Sequence, residues 1–190
     1  AGKDVFVEKP LCHEAGQAEE LMQLAEREKR VLMVGHLLVY HPAVNKLKEI
    51  LQSGELGTIF YAYSQRVNLG AIRQDESALW SFAPHDISVF LHLFEEFPAK
   101  VSAHGASYIT PGQEDVVFLT LEFSNSMIAH VHMSWLDPYK VRRMTFVGSE
   151  KMVVFDDAEP AEKIRIFDKG FTRNDFDNFA DFVSLRQGDI

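Results

Sequence analysis

The chain has 190 residues, 46% of them hydrophobic and 25% charged, the proportions of an ordinary globular chain with material for one large domain or two small ones. Its formal charge is −9, from 19 Lys and Arg against 28 Asp and Glu, so its field repels phosphate backbones and anionic membranes, and neither nucleic acid nor a membrane is expected as a partner. Cys12 is the single cysteine, which excludes an internal disulfide and fits a reducing compartment; no apolar run approaches the ~20 residues of a membrane helix, and a cytoplasmic location is expected.

The first predicted element is a short strand, "VFV" at residues 5–7, followed by a helix over 14–29 whose apolar stripe is Ala15, Ala18, Leu21, Met22 and Ala25. That spacing by threes and fours predicts a helix packed on a sheet. "VLMVGHLLVY", residues 31–40, is nearly continuous in apolar residues and reads as a strand buried on both faces, as parallel strands are. Strand, helix and strand together predict a βαβ unit. With no Met at its start and a strand almost at once, the chain reads as part of something longer.

After Pro42 a second helix carries Val44, Leu47, Ile50 and Leu51 and is expected to stop at Gly54 or Gly57. "TIFYAYSQRV" reads as a strand, and residues 79–95 as a helix with Ile87, Phe90, Leu91 and Phe94 on its apolar side. From about residue 99 the texture becomes an antiparallel meander: "DVVFLTLEF", "MIAHVHMSW", "VRRMTFVG" and "KMVVF". In its second strand Met127, Ala129, Val131, Met133 and Trp135 point one way, and Ile128, His130, His132 and Ser134 the other. The last residues, "NDFDNFADFVSLRQGDI", read as helical. The predicted fold class is therefore α/β: the end of a parallel α/β domain over residues 1–41, then an α+β domain over 42–190 on a mainly antiparallel open sheet.

Three stretches carry candidate chemistry. "EKP", Glu8 to Pro10, follows the first strand, and ligands of open α/β sheets bind beyond the carboxyl ends of strands. The same residues also fit a surface Glu–Lys pair. An X–Pro bond at such a turn can fix the side chain before it, sometimes in the rarer cis form, which makes a cis Lys9–Pro10 bond a hypothesis that a trans bond would remove. "APHDIS" places His85 and Asp86 directly after Pro84, read as the opening of a helix, where a histidine could act as a general base or the pair could simply cap the end. "QRVNLGAIRQD" gathers Arg66, Asn68 and Arg73, whose guanidinium forks suit an anionic or polyhydroxylated ligand, or serve as plain surface charge.

His36 and His41 flank the second strand, and His130 with His132 share a sheet face, but no third ligand stands at a recognisable spacing and no metal site is expected. Cys12 lacks an activating partner in sequence, and neither a Gly-x-Ser-x-Gly elbow nor a phosphate-binding loop occurs.

Taken in order, "AGKDVFVEKPLCHEAGQAEELMQLA", "VLMVGHLLVYHPAV", "GELGTIFYAYSQRVNLG" and "LWSFAPHDIS" resemble the Gfo/Idh/MocA oxidoreductases, the family of glucose-fructose oxidoreductase and inositol dehydrogenase. The resemblance covers essentially the whole chain. It implies the last elements of a Rossmann domain for NAD or NADP, followed by an α+β domain for substrate binding and homo-oligomer formation through its open sheet. No Gly-x-Gly-x-x-Gly occurs, so the main dinucleotide fingerprint is absent. Lys9 resembles the family's catalytic lysine and His85 its catalytic histidine, with Glu8 and Pro10 shaping the cofactor side. Arg66, Asn68, Arg73 and Asp86 become candidates for the substrate. One departure stands out: Ser81 occupies the place of the aspartate four residues before the histidine.

"APHDIS", "RVNLG" and "VGHLLVYHP" look most like the branch acting on nucleotide-linked sugars. The implied activity is oxidation of a sugar or nucleotide-sugar hydroxyl by hydride transfer to nicotinamide, with little activity in this stretch alone. The alternative is a non-catalytic sugar-binding or oligomerisation module, and convergence of Lys9 and His85 on one cleft separates the two.

Overall fold

The computed structural model describes residues 2–70, 72–173 and 183–188. It begins with β1 (Val5–Val7), α1 (Ala15–Arg27) and β2 (Leu32–Val34). The two strands pair in parallel, Val5 opposite Leu32 and Val7 opposite Val34, so the expected βαβ unit forms. Two expectations about it fail. The second strand does not run to residue 40: it ends at Val34, and a 3-10 turn occupies Leu37–Tyr40. Gly35 follows its end, with its backbone so close to β1 that an added Cβ would lie 3.2 Å from the Phe6 ring and 3.5 Å from the Glu8 carboxylate. Nor is the unit buried on both faces. Of the described residues 2–36 Gly35 alone is buried, and α1 buries no residue, its Leu21, Met22 and Leu24 remaining exposed.

Next come α2 (Pro42–Gln52), β3 (Ile59–Val67) and α3 (Ala78–Phe94). His41 caps α2 by accepting the Ala43 N–H at 3.0 Å, with Pro42 as the first helical residue. The following Gly54 and Gly57 take positive φ of 75° and 70°, the conformation that ends a helix at least steric cost.

The meander follows as β4 (Lys100–Ala106), β5 (Val116–Glu122), β6 (Ile128–Ser134), β7 (Val141–Gly148), β8 (Met152–Asp156) and β9 (Ile164–Phe167). These strands and β3 make a seven-stranded sheet in the order β4-β5-β6-β3-β7-β8-β9. β3 pairs parallel with β6 and antiparallel with β7, and all the other pairings in this sheet are antiparallel. β10 (Lys169–Arg173) and β11 (Val183–Gln187) form a separate antiparallel ribbon. The helix expected at the end of the chain is thus a strand over Val183–Gln187, where ladder bonds to β10 replace the helical ones; the rest of that expectation lies outside the described residues.

Helices α2 and α3 cover one face of the sheet. Val44 and Leu47 of α2, Val89 and Phe90 of α3, and Ala129, Val131 and Met133 of β6 are all fully buried. The alternation read in β6 therefore holds, with the Met127-to-Trp135 set on the helix side. The other face is open and displays Tyr61, Tyr63, Phe118 and Ile128. Among the described residues no helix is long and apolar enough to cross a membrane.

Candidate active site

The site forms where the loop after β1 meets the first two turns of α3. The Lys9–Pro10 bond is cis. Lys9 Nζ donates to the carbonyl of Ser81 at 2.8 Å, and the His13 ring lies 4.9 Å from that of Trp80. One polar and one aromatic contact thus dock the loop on α3.

His85 sits one turn beyond Ser81 on the same side of α3, since residues four apart on a helix are stacked. It does not open the helix. α3 begins at Ala78, after Ser77, and Pro84 lies inside it, so His85 stands two turns from the helix end and owes little to the end dipole. Proline brings no N–H to return to the Trp80 carbonyl, and Lys9 bonds the carbonyl next to it. Burial in the fold, reinforced by the charges of Arg66, Lys9 and Arg142 and opposed by Asp86, pushes the His85 pKa down to about 4. The ring is therefore neutral at pH 7 and able to accept a proton.

Arg66 and Asp86, read in sequence as substrate contacts, bond to each other. The guanidinium is bidentate, Nε to Oδ2 at 2.8 Å and Nη2 to Oδ1 at 3.0 Å. Their side chains are only 7% and 1% exposed. Such a pair locks the end of β3 to α3 beneath His85 and fixes the height of the helix over the sheet.

Arg73 lies at the surface, 2.7 Å from Asp75 and 2.9 Å from Glu76. It borders a cavity of about 460 Å³ together with Lys9, Pro10, Cys12, His13 and Glu76. Asn68 is half-buried beyond β3, its N–H bonded to the Ser134 carbonyl at 3.1 Å, and is not among the residues bordering that cavity. Glu8 is exposed beside Gly35.

Sequence reasoning missed the Ser81 carbonyl as the partner of Lys9, the Trp80–His13 contact, and Arg142. Only Arg142 left a usable signal: in "VRRMTF" a period of two puts Arg142 on the side of the buried Met144 and Phe146, the helix side. His130 and His132 flank Phe118 on the open face, and no cluster of three His, Cys, Asp or Glu suited to a metal occurs among the described residues.

Residues 44–154 match the family model of the GFO/IDH/MocA C-terminal domain. The chain belongs to the Gfo/Idh/MocA family. Residues 1–36 match the companion model, an oxidoreductase family with an NAD-binding Rossmann fold. Among curated Gfo/Idh/MocA relatives, a UDP-N-acetylglucosamine 3-dehydrogenase of Acidithiobacillus ferrooxidans is 26% identical over 82% of this chain and 49% of its own length. Inositol 2-dehydrogenase 2 of Saccharopolyspora erythraea is 28% identical over 70% of this chain and 41% of its own. The 2,7-anhydro-N-acetylneuraminate hydratase of Escherichia coli is 22% identical over 86% and 48%.

The chain thus spans about half the length of the curated relatives it matches. A solved inositol dehydrogenase homologue of Azotobacter vinelandii, complexed with NADH and myo-inositol, superposes with a TM-score of 0.76 at 18% identity, over 88% of this chain and 50% of its own. That likeness shows the fold, a Rossmann end joined to a Gfo/Idh/MocA sheet domain.

Proposed function

We propose that this Gfo/Idh/MocA chain is the substrate-side part of an NAD(P)-dependent oxidoreductase that oxidises a hydroxyl of a sugar or nucleotide sugar. The observation that carries the reading is the 2.8 Å bond from the Lys9 ammonium to the Ser81 carbonyl, which ties the loop after β1 to the helix one turn before His85. Relatives named for inositol and for UDP-N-acetylglucosamine support a polyhydroxylated substrate.

Oxidising a carbinol requires that the hydroxyl proton leave as the carbon loses its hydride. The neutral His85 ring accepts that proton, and Lys9 holds the oxygen and stabilises the charge that develops on it. Ser81 brings no carboxylate, so Lys9 leans on a neutral carbonyl and keeps its full charge for the substrate oxygen. Burial of Arg66 and Asp86 holds the histidine helix in place during this transfer.

The residues present fit one end of a nicotinamide cofactor. The 460 Å³ cavity lies beyond the carboxyl end of β1, where parallel sheets leave their ligand crevice, and Lys9 and Pro10, which line it, would border the nicotinamide there, whereas Glu8 is not among its lining residues. They do not fit its pyrophosphate, for want of a glycine-rich turn. When bound, the nicotinamide supplies the hydride acceptor.

The open sheet face supports a second proposal, pairing with another copy. Tyr61, Phe118 and Ile128 are 46%, 43% and 44% exposed on it, and seven strands about 4.8 Å apart by some 20 Å give an area of the order of 700 Å², near the ~800 Å² per partner of a stable interface.

The test of the catalytic reading follows nicotinamide reduction by the native gene product over a panel of sugars, cyclitols and nucleotide sugars. Lys9→Ala and His85→Ala are each expected to lower kcat/KM by about 10²-fold or more while leaving the fold intact. Full activity in either variant contradicts the assignment.

A further inference from the structure

The open face of the seven-stranded sheet has an ordered middle. The ladder registers set Phe118 of β5 beside His132 of β6 and Thr120 beside His130, while β3 adds Tyr63 beside His130 and Tyr61 beside Ile128. The Phe118 ring stacks on both histidines, with centroids 4.6 Å from His132 and 6.1 Å from His130. Tyr61 stacks on Tyr63 at 6.3 Å. Charges stand toward the margins and are already paired, Lys100 with Glu122 at 3.4 Å on the β4–β5 side and Arg143 with Asp156 at 2.8 Å on the β7–β8 side. An apolar and aromatic middle inside a polar rim is the anatomy of a protein interface.

A second copy of this chain fits such a face. The chain carries −9 overall, so copies repel one another in general, but here Glu122 and Asp156 are matched by bases and the middle is neutral as long as its histidines are. The area, of the order of 700 Å², is near the ~800 Å² per partner of a stable pair. β6 lies next to β3, the middle strand of the seven, so a copy that covers most of the face covers His130 and His132. A two-fold pairing buries each of them twice.

No acid stands beside either ring to receive a buried proton. His130 has Thr120 and Tyr63 at its sides, with a 3.4 Å contact to Thr120 Oγ1, and His132 has Phe118 and Gln65. The other titratable groups lie farther out: Lys100, Glu122 and Tyr61 in the row of Ile128, His104 beyond Phe118, and Arg143 beyond Gln65. Burial already holds the His132 pKa below its ordinary value, opposed by the charge of Asp137 after β6 and reinforced by that of His130. Imidazole ordinarily takes up its charge between about pH 5 and 8, and removing its remaining solvent disfavours the charged form. Unpaired copies therefore bind more protons than paired ones, and pairing weakens as the pH falls.

We propose that pairing through the open face is controlled by pH: two copies associate while His130 and His132 are neutral and separate when the rings take up protons. This control rests on the pairing proposed above, not on the catalytic reading, and adds its regulation.

The experiment measures the dissociation constant of the pair by sedimentation of the native gene product at fixed ionic strength, from about pH 7.5 to about pH 5.5. Near-UV circular dichroism shows that the fold persists over the range. The constant is expected to rise about tenfold or more. The double variant His130→Gln/His132→Gln, neutral at these two positions at every pH, should pair with less than a ~2-fold change, and each single variant should lose part of the response. His92→Gln, on α3 and so away from this face, should keep all of it. Ile128→Asp, which sets a charge in the middle of the face, should separate the copies at every pH.

A pair that Ile128→Asp splits but pH does not overturns the control and leaves the pairing standing. A full acid response in both single variants, or in the double variant, overturns it as well, because other groups then take up the protons. A chain that stays single at every pH, or pairs in spite of Ile128→Asp, contradicts the pairing itself, and its pH control falls with it.

Discussion

Lys9 and His85 are carried by regions that hold their side chains in opposite ways. The βαβ unit around Lys9 leaves Phe6 59%, Met22 55% and Val31 62% exposed, whereas Val44, Val89, Phe90, Val131 and Phe146 of the sheet unit are at 0%. His85 is positioned by a packed core and by the Arg66–Asp86 pair beneath it. Lys9 is positioned by the docking of its loop, through Ser81 and Trp80, on the helix that carries His85. The comparison teaches that half of the site is fixed by folding of the sheet domain and the other half by contact with it, so the two halves should respond differently to mutation.

The largest contrast is in stability. In this 190-residue chain, Phe90→Ala is expected to lower the unfolding free energy by about 3–5 kcal/mol, as for other buried aromatics, while Phe6→Ala, mostly exposed in it, should change it by less than ~1 kcal/mol. Urea unfolding measures both, and equal losses would break the contrast.

Asp86→Ala strands the buried Arg66 guanidinium, and a loss of about 3–5 kcal/mol is expected. Replacing both partners together, as Arg66→Met with Asp86→Leu, should recover most of it, because the desolvation of two charges is removed with their attraction. A double variant as unstable as the single one would show that the pair does more than neutralise itself. Arg73→Ala, which removes the ion pairs of a half-exposed side chain with Asp75 and Glu76, should leave the unfolding midpoint nearly unchanged.

A smaller effect is set by pH. His85 titrates at about 4 when folded against 6.5 in the unfolded chain, so between those values the unfolded state binds more protons. Its contribution to stability is therefore complete above pH 6.5 and lost as the pH falls toward 4. With the ring partly in contact with solvent, the change is on the order of 1–2 kcal/mol. Unfolding midpoints at pH 7 and pH 5 should differ more in the wild type than in His85→Gln, and an equal difference would remove the buried-ring account.

Much of this arrangement was legible in the sequence. The alternation of "MIAHVHMSW" predicted the buried face of β6 because a sheet covered on one side imposes a period of two. "EKP" after "VFV" placed Lys9 at a strand end. What failed depended on distant neighbours. Arg66 and Asp86 look like ligand contacts by charge alone, and their mutual bond appears only when α3 is laid over β3, 20 residues apart in sequence. Pro84 suggested a helix start, since proline favours the first turn, but α3 begins at Ala78 and tolerates the proline inside. "VLMVGHLLVY" is apolar enough for a long strand, yet the strand ends at Val34 and a 3-10 turn takes Leu37–Tyr40. The carbonyl that anchors Lys9 carries no side-chain signature at all.

The central claim is that Lys9 and His85 serve one hydroxyl, and a double-mutant cycle on kcat/KM in the native gene product tests it most directly. Groups acting on the same transferring proton are strongly non-additive, so the double variant Lys9→Ala/His85→Ala should be little worse than the poorer of the two single variants. If the two losses multiply, or if either single variant keeps full activity, the residues act independently and the shared site is contradicted.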